Sequence, residues 1–171
     1  MKYNKIFIVG GIGSGKTTLA NKISKILKIK NYELDDIAYK RRDIYERHKP
    51  KIRDKKIKSI LKRKKWIIEG FYSKSWIYPI YRKAEIVIIL NIKTSISKKR
   101  LIRRFLKRRL SLKKNKNLNK KFKRTIKLLK YIEEYPKKYF KIQKQAAKKF
   151  NKNVLIFNTK KEINKFLKSL K

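Results

Sequence analysis

The chain predicts an α/β protein in which a parallel, five-stranded sheet is covered by helices on both faces. Three observations carry that expectation. Short apolar runs alternate with stretches of helical periodicity along all 171 residues. Four of the five glycines, Gly10, Gly11, Gly13 and Gly15, stand together where the first apolar run meets the first helical stretch. Apolar residues make up 41% of the chain, enough for a core. No run approaches the ~20 apolar residues of a membrane span.

The elements follow in order. Lys5-Ile6-Phe7-Ile8-Val9 marks a buried strand over 4–10, and Leu19, Ile23, Ile26 and Leu27 recur at helical spacing in a helix over 15–28. A strand over 31–35 is closed by Asp35 and Asp36. A helix over 52–64 leads into a strand over 65–69 that closes on Glu69, and a short helix near 75–83 precedes a strand over 85–91 built on Ile86-Val87-Ile88-Ile89-Leu90. A helix over 94–110 follows. One or two helices then cover 117–150 with a break at Pro136, before a strand over 153–157 and a helix over 160–170. Alternation of this kind gives a parallel sheet with its ligand site at the carboxyl ends of the strands. One domain spans residues 1–171, with no repeat and no linker.

The glycine cluster supplies the chemistry. Gly10-Gly11-Ile12-Gly13-Ser14-Gly15-Lys16-Thr17 fits G-x-x-x-x-G-K-[ST], a loop whose backbone N–H groups wrap a triphosphate where side chains would obstruct it. Lys16 is positioned to reach the β- and γ-phosphates, and the Thr17 hydroxyl to ligate Mg²⁺. Gly10 through Thr18 form the expected nucleotide-binding segment, with the dipole of the following helix adding positive potential. ATP and Mg²⁺ are the expected cofactors.

Charge is the second informative property. There are 54 Lys and Arg against 11 Asp and Glu, a net charge of +43. A surface this basic binds polyanions, so non-specific nucleic-acid binding is expected beside a small-molecule activity. Solvated lysines with no dedicated role are the alternative. Cysteine is absent, which excludes disulfides and thiolate metal sites. The start of the chain lacks a secretory pattern, and a cytoplasmic protein with no membrane partner is expected. His48, the one histidine, has no metal-ligating neighbours in sequence and receives no role.

Phosphoryl transfer with Mg²⁺ needs carboxylates at strand ends, and few of the acids are so placed. Glu69, in Trp66-Ile67-Ile68-Glu69-Gly70-Phe71-Tyr72, suits a carboxylate that reaches the metal through its water. Asp35 is the candidate base for a hydroxyl acceptor, with Asp36 as the alternative acid. Arg100, Arg104 and Arg108 recur every four residues along one helix face, where guanidinium groups stabilise charge on a transferring phosphoryl group. Phe71-Tyr72-Ser73-Lys74-Ser75-Trp76 and Tyr78-Pro79-Ile80-Tyr81-Arg82 interleave aromatics with basic residues, a pattern read either as base stacking or as core packing.

These residues resemble the P-loop nucleotide kinases related to adenylate kinase. Trp66 to Phe71 is similar to that family's Asp-Gly-Phe-Pro-Arg strand end, with Glu69 for the Asp and Tyr72-Ser73 where Pro-Arg would stand. Without that Arg the resemblance does not carry a simple nucleoside-monophosphate acceptor. Ala84 to Arg104 resembles the fourth strand and the helix leading to an Arg/Lys-rich lid, here about 100–124, with Arg100 and Arg104 at its adenine- and phosphate-contacting positions. Asn158-Thr159-Lys160 resembles the turn beside the adenine. Within the group the chain is most similar to the small topology modulation proteins, through Glu33 to Tyr39, Trp66 to Ser73 and Arg100 to Leu110. The resemblance implies a P-loop NTPase three-layer fold and an ATP-dependent kinase acting on a small acceptor, a nucleotide or related metabolite. A nucleic-acid-binding ATPase or regulator that works through its basic surface is the rival reading. The acceptor has no legible code, because the segment 39–50 that would line it matches no known pattern.

Overall fold

The structure, a computed structural model, describes residues 3–41, 46–111, 118–151 and 153–170, and the side chains of all but 108–111 and 118–121 among them. β1 (Lys5–Gly10) leads through the glycine loop into α1 (Lys16–Leu27). β2 (Asn31–Glu33), α2 (Leu34–Ala38) and the short strands β3 (Tyr39–Arg41) and β4 (Glu46–Arg47) follow. Next come α3 (Pro50–Leu61), β5 (Trp66–Gly70), a 3₁₀ turn (Ser75–Ile77), α4 (Tyr78–Lys83) and β6 (Ile86–Leu90). The chain ends in α5 (Thr94–Ser111), α6 (Leu118–Glu134), a π turn (Tyr135–Tyr139), α7 (Phe140–Phe150), β7 (Val154–Phe157) and α8 (Lys160–Ser169).

Five strands form one parallel sheet in the order β2-β5-β1-β6-β7, so β1, which carries the glycine loop, is central. The expected architecture holds. Successive residues of β1 point to opposite faces: Phe7 and Val9 pack with Leu34, Ile57, Ile80 and Ala147 beneath α2, α3, α4 and α7. Ile6 and Ile8 pack with Leu19, Ile23, Leu167 and Leu170 beneath α1 and α8. β6 divides in the same way, Val87 and Ile89 against Ile86, Ile88 and Leu90. Burial on both faces explains why these strands read as unbroken apolar runs. Among the described residues no helix is long and apolar enough to cross a membrane.

Two details depart from expectation. Asp35 and Asp36 do not close the second strand: β2 ends at Glu33, and both acids sit in the first turn of α2, where the helix dipole favours negative charge. The segment after it folds into an antiparallel β3–β4 pair, which the sequence did not announce. Pro136 stands at the expected break, between the end of α6 at Glu134 and the start of α7 at Phe140. It lies in the π turn, whose wider ring accommodates a residue that has no N–H and would crowd a preceding carbonyl. The stretch read as a lid consists of the end of α5 and the start of α6; residues 112–117 lie outside the described residues.

Candidate active site

The site is assembled at the carboxyl ends of β1, β2 and β5. The phosphate loop is held in shape from the side by α5. At Gly13, φ is 75°, and a Cβ there would stand 2.6 Å from the Ser97 carbonyl oxygen, so only glycine lets the loop lie this close to α5. At Gly11 the absent side chain makes room for the Tyr135 ring, 2.9 Å from where a Cβ would be. Arg100 donates from Nη1 to the Ser14 carbonyl at 2.9 Å and to the Gly13 carbonyl at 3.2 Å, bracing the loop. The Ser14 side chain is buried, so its exposed contribution to a ligand is the main chain.

Lys16 opens α1 and donates from Nζ to the Gly11 carbonyl at 2.9 Å, arching back over the loop. Burial lowers its pKa below the ordinary lysine value; the carboxylates of Glu69, Asp35 and Glu33 oppose that shift, and Arg104 adds to it. Thr17 Oγ1 donates to Glu69 Oε1 at 2.7 Å. Glu69 is 4% exposed, and burial raises its pKa above the ordinary carboxylate value, against the Thr17 hydrogen bond and the Lys16 charge. A hydroxyl bonded to a buried carboxylate beside a lysine, at the start of a helix, is an oxygen donor set suited to Mg²⁺ carried on phosphates. The glycine cradle suits the phosphates themselves.

Asp35, whose charge acts on Lys16, accepts a hydrogen bond from the Tyr72 hydroxyl at 2.8 Å. Tyr72 meets Trp76 edge-on with ring centroids 4.8 Å apart, and the Arg53 guanidinium stacks over Trp76 at 4.8 Å. Burial, followed by the Asp35 charge, drives the Tyr72 pKa upward, so the hydroxyl stays protonated. Arg124 on α6 is coupled electrostatically to Asp35 and Tyr39. Asn158 accepts from Asn91 Nδ2 at 2.8 Å, and its own N–H donates to Glu162 in the capping box of α8.

The structure thus brings together the residues of the loop, Lys16, Thr17, Glu69, Asp35, Arg100 and Arg104. Asp36 is on α2 beside Asp35, Thr18 is exposed in the first turn of α1, and the Arg108 side chain lies outside the described residues. Sequence reasoning missed Glu33, which is paired in register with Glu69 across β2 and β5 and acts on both Lys16 and Glu69. It also missed Arg53, Arg124 and Tyr135. The hydrogen-bonding role of Tyr72 went unread, although the interleaved aromatics had marked the segment.

Comparison with solved structures finds the same architecture across nearly the whole chain. A shikimate kinase from Acinetobacter baumannii in complex with shikimate superposes with a TM-score of 0.55 at 16% identity, covering 98% of this chain and 92% of that one. A shikimate kinase from Bacteroides thetaiotaomicron gives 0.57 at 14% identity, over 98% and 96%. Deoxyadenosine kinase from M. mycoides with bound dATP gives 0.57 at 16% identity, over 96% and 98%. No family model and no curated protein matches the chain. At these identities the likeness is one of architecture: the chain has the fold of the P-loop kinases.

Proposed function

We propose that this protein is an ATP-dependent phosphotransferase that moves the γ-phosphoryl group of ATP to a small acceptor, a nucleotide or related metabolite. The observation that carries the reading is the Thr17–Glu69 hydrogen bond beside Lys16, at the mouth of a glycine loop on the central strand. The loop amides and Lys16 would hold the phosphates, the Thr17 hydroxyl would ligate Mg²⁺, and Glu69 and Asp35 would hold the metal's water shell. Mg²⁺ held there would supply electrostatic stabilisation of the transferring phosphoryl group. Arg104, close enough to Lys16 to depress its pKa, faces the same charge. Arg100 acts through the loop carbonyls it braces. Asn158, beside Asn91 at the end of β7, stands on the adenine side.

The acceptor side is the group built on Asp35. Its carboxylate, held by the Tyr72 hydroxyl, is the base for an acceptor hydroxyl. Tyr72 and Trp76 offer aromatic surface, the latter stacked under Arg53, whose charge is paired with Asp54, and Arg124 offers positive charge to an anionic substituent. The structural neighbours are named for small-molecule acceptors, shikimate and deoxyadenosine, which supports an acceptor of that size. The similarity to topology modulation proteins rests on sequence motifs alone, and those motifs fall on the kinase site.

The test is transfer from γ-labelled ATP to a panel of nucleosides, nucleotides and hydroxy acids, by wild type and by Asp35→Asn. For a hydroxyl acceptor the variant is expected to lose about 10² to 10⁴ in rate with little change in ATP affinity. An acceptor phosphorylated equally well by both proteins would remove Asp35 from the mechanism.

A further inference from the structure

Acidic residues are few, and those few are not spread evenly. Four of the 11, Glu33, Asp35, Asp36 and Glu69, gather at the ends of β2 and β5 around the candidate site. Away from the site the basic residues are largely unopposed. One such case is the face formed by α1 and α8, which pack side by side on one side of the sheet through Leu19, Ile23, Leu167 and Leu170. Lys22 and Lys25 lie on the exposed side of α1, and exposed Lys28 caps its C-terminal end in the left-handed region. Lys161, Lys165 and Lys168 recur along the exposed side of α8. α1 contains no acid, and the single acid of α8, Glu162, has its carboxylate engaged by the Asn158 and Thr159 N–H groups. Among the described residues none of these six lysines is in an ion pair.

We infer that the α1/α8 face binds the phosphate backbone of a nucleic-acid duplex, independently of the kinase reaction and without sequence preference. The α8 row extends about 10.5 Å at 1.5 Å per residue, Lys22 and Lys25 on α1 stand about 4.5 Å apart along the axis with Lys28 beyond them at the cap, and helices packed this way lie about 8–10 Å apart. A duplex strand advances about 3.4 Å along its axis per phosphate while winding round it, so the long lysine side chains, and not a straight row of phosphates, make the match, at about one phosphate per lysine. The face excludes two other occupants on its own composition. The exposed large apolar residues, Ile52, Ile96, Ile102, Leu106, Phe122 and Ile126, lie on α3, α5 and α6, so the α1/α8 face lacks the apolar surface with which a helix enters an anionic membrane. No exposed aromatic lies on α1 or α8 among the described residues, so unpaired bases find no stacking platform. What remains is charge recognition of a regular phosphate array.

Net charge alone would make any part of this surface sticky, so the experiment compares two faces. One variant carries Lys22→Glu, Lys25→Glu, Lys165→Glu and Lys168→Glu; the control carries Lys51→Glu, Lys58→Glu, Lys141→Glu and Lys148→Glu on α3 and α7, across the sheet. Both lower the net charge equally. Binding of a short mixed-sequence duplex is followed by fluorescence anisotropy over a salt series, with the Lys→Gln set at the α1/α8 positions as a milder variant and thermal unfolding as the check on folding. Six phosphate contacts predict a log–log salt slope of about −5 for wild type, and so a loss of about 10³ in affinity between about 50 and 200 mM salt. The α1/α8 sets should flatten the slope by about 3–4, and the control should leave it near the wild-type value. Equal losses from the two faces would overturn the assignment. So would tighter binding of a single strand than of the duplex, or binding of anionic phosphatidylserine vesicles with none to DNA. ATP binding by all the folded variants should be unchanged.

Discussion

Glu69→Gln isolates the charge of one buried carboxylate while keeping its shape. Gln retains the oxygen that accepts from Thr17 Oγ1 at 2.7 Å, so the contact survives as a neutral hydrogen bond. Such a bond contributes about 0.5–1.5 kcal/mol against about 1.5–3 for a charged one, a loss of roughly 1 kcal/mol. Opposing it, the substitution removes a carboxylate that is 4% exposed and faces Glu33 across the strand pair, and burying such an ion costs several kcal/mol before Lys16 offsets part of it. The ligand-free variant is therefore expected to be at least as stable as wild type at neutral pH. Metal binding should move the other way. A carboxylate that orients a metal ligand accounts for about 10- to 100-fold in affinity or activity, or roughly 1.4–2.7 kcal/mol. The assays are thermal unfolding with and without ATP·Mg²⁺ and a Mg²⁺ titration of phosphoryl transfer. The account expects a higher Mg²⁺ requirement together with undiminished ligand-free stability. A variant that is less stable by several kcal/mol yet unchanged in its Mg²⁺ dependence would show that Glu69 serves the fold and not the reaction.

Other consequences follow from the same geometry. Because burial raises the Glu69 pKa, the folded protein keeps that proton to higher pH than the unfolded chain, so this group's contribution to stability falls as pH rises from its ordinary value through its folded one. The stability of Glu69→Gln relative to wild type should then climb over that interval in urea titrations at stepped pH, and a pH-independent difference would contradict the shift. Lys16→Ala should abolish nearly all ATP-dependent turnover while the circular dichroism spectrum persists, since its side chain bonds only the Gly11 carbonyl; undiminished turnover would remove the loop from the mechanism. Gly13→Ala forces a Cβ to within 2.6 Å of the Ser97 carbonyl at a positive φ, costing about 2–4 kcal/mol, or roughly 4–16 °C in Tm by differential scanning calorimetry. An unchanged Tm would mean that α5 is not seated on the loop.

How much of this was legible in the sequence depended on whether a feature is local. The five sheet strands and the glycine loop are local: each apolar run, and each residue of the loop, is read from its immediate neighbours. Glu69 was legible for the same reason, as an acid ending an apolar run before a glycine. The acceptor side was not, because it is made by pairing between distant segments. Tyr72 reaches Asp35 across 37 residues, and Glu33 meets Glu69 only through the register of β2 on β5. Arg124 lies in a basic stretch where nothing distinguishes it from its neighbours. The misplaced end of the second strand has a physical signal in hindsight: two adjacent acids suit the first turn of a helix better than the end of a strand. Pro50, at the first position of α3, likewise marked that helix start two residues before the place periodicity suggested.

The central claim is that the loop and its carboxylates transfer a phosphoryl group and do not merely hydrolyse ATP. The most direct measurement is a single-turnover experiment with γ-labelled ATP and the best acceptor from the panel, run with wild type and Lys16→Ala in parallel. The account predicts that wild type moves the label onto the organic acceptor and that Lys16→Ala does not. Label released only as inorganic phosphate, at a rate indifferent to every acceptor, would contradict it.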